Sequence, residues 1–214
     1  DLQTWSDAML RNDSTAIGQR VDVAYRWKNR SLLASCHRLL RHVPADMIKP
    51  TADSPRRDEI PLYINLVDLD FKTVNRVAYG LMAVWGVIYL LCMRSAGNRT
   101  PYTDALEFGM LLIMIIVCSP ISWFYYGVWL LFPFQLVVQA YLESPAGSRD
   151  RTMIAAWLAA SVCLLFFVPD WNWFRPLRSA GTPLLGHFLL FAELAWLLRR
   201  RSSTTPTPGL APLV

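Results

Sequence analysis

The longest stretch of this chain without a charged residue, Phe108–Leu142, limits most strongly what the chain can fold into. The hydrocarbon core of a bilayer is about 30 Å thick, and a helix of roughly 20 apolar residues crosses it. At about 1.5 Å per residue the stretch is too long for one such helix. It contains Ser119-Pro120-Ile121-Ser122, and proline disfavours helix at the residue before it. The pattern therefore predicts two membrane-spanning helices, about 103–118 and 123–142, joined by a tight turn.

Three further segments match the length of a spanning helix. Val77–Met93 is uncharged and lies between two arginines, so we place a span at about 74–93. Two later segments predict spans at about 152–168 and 182–198, and three arginines close the last one. Charged residues make up 17% of the chain, against about 25% in soluble proteins. We therefore expect an all-α integral membrane protein with about five transmembrane helices.

The N-terminal third is polar, and we assign residues 1–73 to an extramembrane loop segment ahead of a transmembrane bundle at 74–200. Within the loop segment, leucines recur at helical spacing and predict a short amphipathic helix at about 31–43, the kind that lies in the membrane interface. Asp70 fits the N-cap of the first span. Residues 201–214 are rich in Ser, Thr and Pro and predict a disordered cytoplasmic tail.

The arginines orient the chain, because short cytoplasmic loops carry an excess of Lys and Arg. The triplet Arg199–Arg201 is placed in the cytoplasm, and counting back through five spans puts residues 1–73 and the Ser119–Ser122 turn outside. The outer loop 169–181 also carries arginines, which weakens the bias, and its tryptophans indicate an aromatic belt. These residues are Trp171, Trp173, Arg175 and Arg178. The prediction is a multi-pass protein of the plasma (inner) membrane, with the N-terminal segment outside and the C-terminus cytoplasmic.

Several function classes lack their sequence signals. The net charge is +5, but the arginines are scattered among spans and loops, and no basic stripe interleaved with aromatics suggests nucleic-acid binding. No Gly-rich phosphate loop, zinc pattern or nucleophile elbow occurs, and the four cysteines lack metal-ligand spacing. No cofactor site is identified, and the sequence leaves dependence on a divalent metal open.

The outer turn is the first candidate for a binding site. Ser122, Tyr125 and Tyr126 place hydroxyls and ring faces at a helix junction on the side assigned to the outer surface. Hydroxyls and ring faces together suit a sugar or a lipid headgroup. The alternative is an ordinary aromatic belt around a proline turn.

The amphipathic helix is the second candidate. Arg38 and Arg41 could meet a phosphate, because a guanidinium group binds phosphate oxygens as a bidentate fork. The alternative is a solvated basic face against anionic lipid. In the last span, His187 and Glu193 are polar groups at membrane depth, which invites a functional interpretation, but we expect structural roles for both.

A general base could be among the carboxylates on the outer side, although nothing in their spacing selects one. These carboxylates are Asp1, Asp7, Asp13, Asp22, Asp46, Asp53, Asp58, Glu59, Asp68, Asp70 and Asp170.

Two segments resemble a known family. "WKNRSLLASCHRLL" (Trp27–Leu40) is similar to the Asn-Gln-Ser-Leu motif followed by Arg-Leu-Leu in a late outer loop of glycosyltransferase family 87. "SPISWFYYGVWLLFP" (Ser119–Pro133) resembles that family's Ser-Pro-x-Ser-Trp motif at an outer helix junction. The two motifs occur in the family's order, with one span-sized run between them, and both fall on the side that the arginines place outside. The resemblance covers roughly residues 20–142.

The resemblance implies a GT-C architecture of many membrane helices. It further implies transfer of a hexose such as mannose from a polyprenyl-phosphate donor to an acceptor on the outer face of the membrane. The partners would be this donor and membrane lipid. Residues that match the motifs would hold the donor: Arg38 and Arg41 its phosphate, and Asn29, Ser31, Ser122, Tyr125 and Tyr126 its headgroup or sugar. The apolar spans would form a groove for the lipid tail.

The chain departs from the family at two places. Arg30 stands where the motif has Gln, and Tyr125 or Tyr126 stands where the family often has His. Tyrosine donates a hydrogen bond but does not titrate near neutrality. The family's catalytic acid is expected in the first outer loop, which would precede Asp1, so we expect the chain to be the C-terminal part of the enzyme. The rivals are a non-catalytic membrane scaffold or degenerate relative, and last a transporter, which would show paired broken helices.

Overall fold

The computed structural model describes residues 26–48, 60–94, 99–167 and 174–203, and these are mostly helical. The elements are α1 (Leu32–Leu40), β1 (Asp46–Ile48), β2 (Ile60–Leu62), α2 (Phe71–Arg94), α3 (Pro101–Cys118), a 3-10 helix (Phe124–Leu130), α4 (Leu131–Glu143), α5 (Arg149–Phe166), α6 (Arg175–Ser179) and α7 (Thr182–Ser203). Predictions for the carboxylates before residue 26 and at positions 53, 58, 59 and 170, for Trp171 and Trp173, and for the tail beyond residue 203 lie outside the described residues.

Each of the five segments predicted to span the membrane contains a helix, and four of these helices lie close to the predicted bounds. In the segment predicted at 123–142, α-helix begins only at Leu131. Two of these helices are long and apolar enough to cross a membrane, over Phe71–Met93 and Pro101–Cys118. Five spans are not confirmed within the described part of the chain. Polar residues make two of the other helices less apolar than a typical membrane span. Helix α5 opens with Arg149-Asp150-Arg151, and α7 carries His187 and Glu193.

The predicted break between α3 and the next helix is present. The backbone N–H of Ser119 still donates to Ile115 O, and Ser119 Oγ donates to Ile121 O at 2.7 Å. The chain then enters the 3-10 helix, and regular α-helix begins only at Leu131. Pro133 explains this late start, because it has no N–H to donate to a preceding turn and is tolerated only in the first turn of an α-helix.

Helix α7 lies at the centre of the bundle and packs antiparallel against α5. Trp196 faces Trp157 with ring centroids 6.3 Å apart, and Arg200 pairs with Asp150 at 2.6 Å. At the other end, a Cβ added to Gly186 would lie 2.7 Å from Leu165 Cγ. Side chains of α3 and α4 complete the core around Leu190, Leu194 and Leu198, whereas many apolar side chains of α2 face outward.

The N-terminal part adopts more structure than a loop. Strands β1 and β2 form an antiparallel pair with Asp46 opposite Leu62, where only a loop was expected. Helix α1 is shorter than predicted, and the Ser31 hydroxyl caps it by accepting from the N–H of Ala34 at 3.1 Å. Asp70 caps α2 as predicted, because its carboxylate accepts from the N–H of Thr73.

Arg38 does not lie on a solvated basic face of α1, so the alternative interpretation given for this arginine is wrong. Its side chain is 1% exposed, and His37 beside it is fully buried. The helix packs between α2 and the segments around residues 26–31 and 175–181, and these cover the polar side as well as the apolar one. The last helix also differs, since α7 continues to Ser203 instead of ending near residue 198.

Candidate functional site

Two segments distant in the sequence, Asn29–Ser31 and Pro120–Ser122, bond directly to each other. Asn29 Nδ2 donates to Pro120 O at 3.0 Å, and Asn29 Oδ1 accepts from the N–H of Ser122 at 2.9 Å. The N–H of Arg30 donates to Ser122 O at 2.8 Å. The structure therefore brings together three of the residues predicted to bind a donor: Asn29, Ser31 and Ser122.

Asn29 and Ser31 direct their polar atoms to the protein itself. Asn29 Oδ1 also accepts from the N–H of Ser31 at 3.1 Å, and Ser31 Oγ lies 3.4 Å from Pro120 O. Both residues are buried. Their observed role is to hold the turn against the start of α1.

Arg38 links three segments of the chain. Its Nε donates to Ser179 O at 2.7 Å, and its Nη1 donates to Asn29 O at 2.8 Å and Arg26 O at 3.2 Å. Its Nη2 donates to Ser35 Oγ at 2.9 Å. Burial lowers the pKa of Arg38 to about 10, so the guanidinium stays charged at neutral pH. The interpretation of Arg38 as a direct phosphate ligand does not fit this geometry, because the fork is directed at carbonyl oxygens inside the protein.

Arg41 points toward α2 and away from Arg38's partners. Its guanidinium lies 5.2 Å from the centroid of the Phe71 ring, and its Nη1 lies 3.2 Å from His37 Nδ1. His37 Nε2 is 2.9 Å from Asn75 Oδ1. An amide oxygen only accepts, so the proton of the neutral ring is assigned to Nε2, and Nδ1 accepts from Arg41. Burial lowers the pKa of His37 to about 4.

Further arginines gather beside the Asn29 contacts. Arg178 stacks on Trp27 with its Cζ 3.4 Å from the ring centroid, and it lies 3.7 Å from the Asp46 carboxylate. Arg30 Nη1 donates to Leu165 O at 3.1 Å. Burial, and then the positive charge of Arg178, lower the pKa of Arg30 to about 10. We group these residues with Arg26, whose carbonyl accepts from Arg38, and with Arg175, which lies one turn before Arg178 in α6. We call the group the arginine cluster and define it by its members: Arg26, Arg30, Arg38, Arg175 and Arg178.

Several buried polar atoms of the cluster, and of two serines whose carbonyls accept from it, have no described partner. They are Nε of Arg26, Nε and Nη1 of Arg175, and the hydroxyls of Ser122 and Ser179. Buried polar groups in folded proteins are nearly always hydrogen-bonded, so such atoms indicate a place for a ligand or water. Guanidinium N–H groups and hydroxyls together suit an anionic oxygen ligand such as phosphate. Asp46, a described carboxylate at the cluster, already faces Arg178.

The predicted sugar-binding tyrosines sit apart from these atoms. Tyr125 is 65% exposed, and its ring contacts Tyr126 at 4.9 Å between centroids. Tyr126 in turn packs edge-on against Trp129. No described contact joins either tyrosine to the arginine cluster. They follow Ser122 by only three and four residues, and Tyr125 remains accessible.

Sequence reasoning missed the part of the cluster that comes from α6, in the segment predicted to be an outer loop. Arg175 and Arg178 counted there only as residues that weakened the charge bias. The sequence did contain a sign of their role. The positive-inside rule predicts few arginines in outer loops, so two arginines in a loop assigned to the outer side need another explanation. Trp27 and Asp46 carried no signal of their own, because only the fold places them beside Arg178.

Glu193 is a second unusual polar group. It is fully buried in α7, and neither carboxylate oxygen has a hydrogen-bond partner among the described residues. The described residues contain no group of three or more His, Cys, Asp or Glu side chains that could hold a metal ion.

Comparison with known proteins gives no relative: no protein-family model, curated protein or solved structure matches the chain. The interpretation of the site therefore depends on its own geometry and on the resemblance of the two motifs.

Proposed function

We propose that the chain is the C-terminal part of a membrane glycosyltransferase that moves a hexose such as mannose from a polyprenyl-phosphate donor to an acceptor on the outer face. The arginine cluster would bind the donor's phosphate. The observation that carries the proposal is the set of buried N–H and O–H groups without described partners at this cluster. It lies where the two segments that resemble family 87 meet, through Asn29 and Ser122.

Within this proposal the roles of the predicted residues divide. Arg175 and Arg26 would donate to the phosphate through N–H atoms that no described residue accepts. The Ser122 hydroxyl would contact the phosphate or the sugar, and Tyr125, which is exposed and follows Ser122 by three residues, would contact the sugar. Asn29, Ser31 and Arg38 would be positioning residues, because their polar atoms hold the segments of the site together.

The transfer itself would be an inverting displacement. The acceptor's hydroxyl oxygen forms a bond to the anomeric carbon, the bond from that carbon to the phosphate oxygen breaks, and the lipid phosphate leaves with the electron pair. A carboxylate takes the acceptor's proton. The resemblance implies that the family's catalytic carboxylate lies in a first outer loop, and the described residues would supply the donor side.

One observation favours the rival function, a non-catalytic scaffold or degenerate relative. Asn29, Ser31 and Arg38 match the family's motif, yet all three are buried and bonded to the protein's own backbone. The motif would then be retained because it holds the fold together. The two functions differ in whether the arginine cluster binds a phosphate.

The test is binding of a farnesyl-phosphate mannose to the purified chain in detergent, measured for the natural sequence, Arg175→Gln and Arg149→Gln. Arg175→Gln removes N–H donors that bond to no described acceptor. Arg149 is an exposed arginine at the opposite end of α5 and serves as the matched control. We expect saturable binding that Arg175→Gln weakens about tenfold, which corresponds to about 1.4 kcal/mol and lies in the range of a hydrogen bond to a charged group.

Arg149→Gln should bind within about twofold of the natural sequence, a difference of about 0.4 kcal/mol. Absence of saturable binding, or equal binding by Arg175→Gln and the natural sequence, would remove the arginine cluster as a donor site and leave the scaffold.

A further inference from the structure

An apolar groove runs between α2 and α7, and its lining residues differ from those assigned to the donor. One part has a volume of about 400 Å³, and the adjoining part about 290 Å³. The two parts share Ile88 and Phe191, so they form one continuous groove. We call it the α2–α7 groove; its lining residues at the two ends are Leu32, Leu81 and Phe188, and Ala195, Trp196 and Arg199.

The groove exists because α2 and α7 touch at few points. Trp85 of α2 makes one of these contacts, with its ring edge-on to Phe188 and Phe191 of α7 at 4.6 and 5.2 Å between centroids. Further along α7, Ala192 and Ala195 are too small to reach α2 and leave space between the helices. The walls are therefore apolar from Leu32 as far as Trp196, which suits a hydrocarbon chain.

One end of the groove is basic. Arg199 lines the groove at the end where Arg200 and Arg201 follow in α7. Arg200 is already paired with Asp150 and stacks on Trp196 at 4.9 Å. Arg199 is exposed and lies on the groove side. A guanidinium at the mouth of an apolar groove is complementary to a molecule with a hydrocarbon chain and an anionic head.

The length of the groove matches the depth of one bilayer leaflet. Phe188 and Arg199 are eleven residues apart on α7, which is about 17 Å of helix at 1.5 Å per residue. One leaflet of the hydrocarbon core is about 15 Å deep, half of about 30 Å. The groove therefore accommodates an acyl chain that belongs to the leaflet on the Arg199 side.

We propose that the α2–α7 groove binds one anionic phospholipid, with an acyl chain between Trp85 and Trp196 and the headgroup phosphate on Arg199. The lipid would join α2 to a bundle that it otherwise contacts at few points. The proposal depends on the chain being embedded in a bilayer but not on glycosyl transfer.

The experiment is native mass spectrometry of the full chain, released from detergent after incubation with dioleoyl phosphatidylglycerol or dioleoyl phosphatidylcholine. We expect one retained phosphatidylglycerol and at least tenfold less phosphatidylcholine. Arg199→Gln should reduce retention of phosphatidylglycerol about tenfold. Arg149→Gln should not change it, since Arg149 is exposed at the same end of the bundle but does not line the groove.

A second pair of variants tests the groove without removing a charge. Ala192→Phe fills the space and should reduce retention, whereas Ala156→Phe on the exposed surface of α5 should not. Equal retention of both lipids, or equal losses in Arg149→Gln and Arg199→Gln, would overturn the proposal.

A competition experiment gives a further outcome that would overturn the proposal. If farnesyl phosphate displaces the phospholipid equally well from the natural sequence and from Arg199→Gln, the groove holds the polyprenyl tail instead. Arg175→Gln should leave phospholipid retention unchanged, so the failure of one proposal is distinguishable from that of the other.

Discussion

The side-chain amide of Asn29 bonds to both ends of the Pro120–Ser122 turn, more than 90 residues further along the chain. Its Nδ2 donates to Pro120 O at 3.0 Å and its Oδ1 accepts from the N–H of Ser122 at 2.9 Å. A primary amide supplies a donor and an acceptor on one short side chain, which explains why this position suits asparagine. The residue is 2% exposed, so water cannot replace these bonds without opening the site.

Asn29→Leu should lower the stability of the protein substantially. The substitution keeps the branched shape of the side chain but removes its polar atoms. The N–H groups of Ser31 and Ser122 lose their acceptor, and Pro120 O loses the amide donor while keeping the longer contact with Ser31 Oγ. Each buried unsatisfied group costs about 1–3 kcal/mol, and we expect a total of about 3 kcal/mol after relaxation. The measurement is the thermal unfolding temperature in detergent.

Asn65→Leu is the matched control for this substitution. Asn65 also donates an amide N–H to a backbone carbonyl, that of Val67 at 3.1 Å, but this bond is solvent-exposed. Its loss should change the stability by less than about 0.5 kcal/mol. If both variants unfold at the same temperature, the contact between the Asn29 segment and the turn does not stabilise the fold.

Arg38→Lys should destabilise the protein even though the charge is kept. The guanidinium fork reaches Ser179 O, Asn29 O and Ser35 Oγ in fixed directions, and a lysine ammonium cannot reproduce this geometry. We expect a loss of about 2–4 kcal/mol and an unfolding temperature lower by roughly 5–10 °C. Arg76→Lys, at an exposed arginine of α2, should leave the unfolding temperature unchanged.

The same variant separates a positioning role from a ligand role for Arg38. If Arg38→Lys unfolds like the natural sequence yet loses binding of farnesyl-phosphate mannose, then Arg38 contacts the donor directly. In that case the carbonyl-directed arrangement must open when the donor binds, and the division of roles proposed above is wrong.

Stability should decrease as the pH falls from about 6.5 toward 4, because of His37. Burial lowers the pKa of its ring to about 4 from the ordinary 6.5. Between these values the unfolded chain takes up a proton that the folded chain does not, so the stabilisation present above pH 6.5 is lost on acidification. The effect is at most about 3 kcal/mol, and solvent screening reduces it.

The check is the unfolding temperature of the natural sequence and of His37→Gln at a series of pH values between 4 and 7.5. His37→Gln should show a flatter profile than the natural sequence, and His42→Gln, at an exposed histidine that stacks on Tyr63, is the matched variant for comparison. An unchanged slope in His37→Gln would assign the acid sensitivity to another group.

The helices follow from local pattern, which explains why sequence predicts them well. The uncharged run around Pro120 gives both the helices and the break, because apolar length and the missing N–H of proline act over a few residues. The start of α4 is shifted for a local reason too, the second proline at position 133. The strand pair was not predictable, because β1 and β2 are three residues each and prolines surround them.

The site was predictable only in part. The Asn29 and Ser122 segments were selected by a motif, and they do touch. The motif could not reveal that Arg38 is buried. The spacing of residues along a helix shows which of them share a face, but it does not show what packs against that face. Arg178 reaches the site from α6, 140 residues after Arg38, and contacts across that distance are set by tertiary packing alone.

Gly186→Ala should destabilise the contact between α5 and α7. A Cβ at this position would lie 2.7 Å from Leu165 Cγ and 3.2 Å from Leu164 Cβ, too close without movement of both helices, and overpacking of this kind costs about 1–3 kcal/mol. Gly80→Ala is the control, since nothing lies within 4 Å of its added Cβ, and removing a helical glycine should stabilise by up to about 1 kcal/mol. Thermal unfolding of the two variants should therefore shift in opposite directions. A shared upward shift would mean that α5 and α7 are further apart at Gly186 than described.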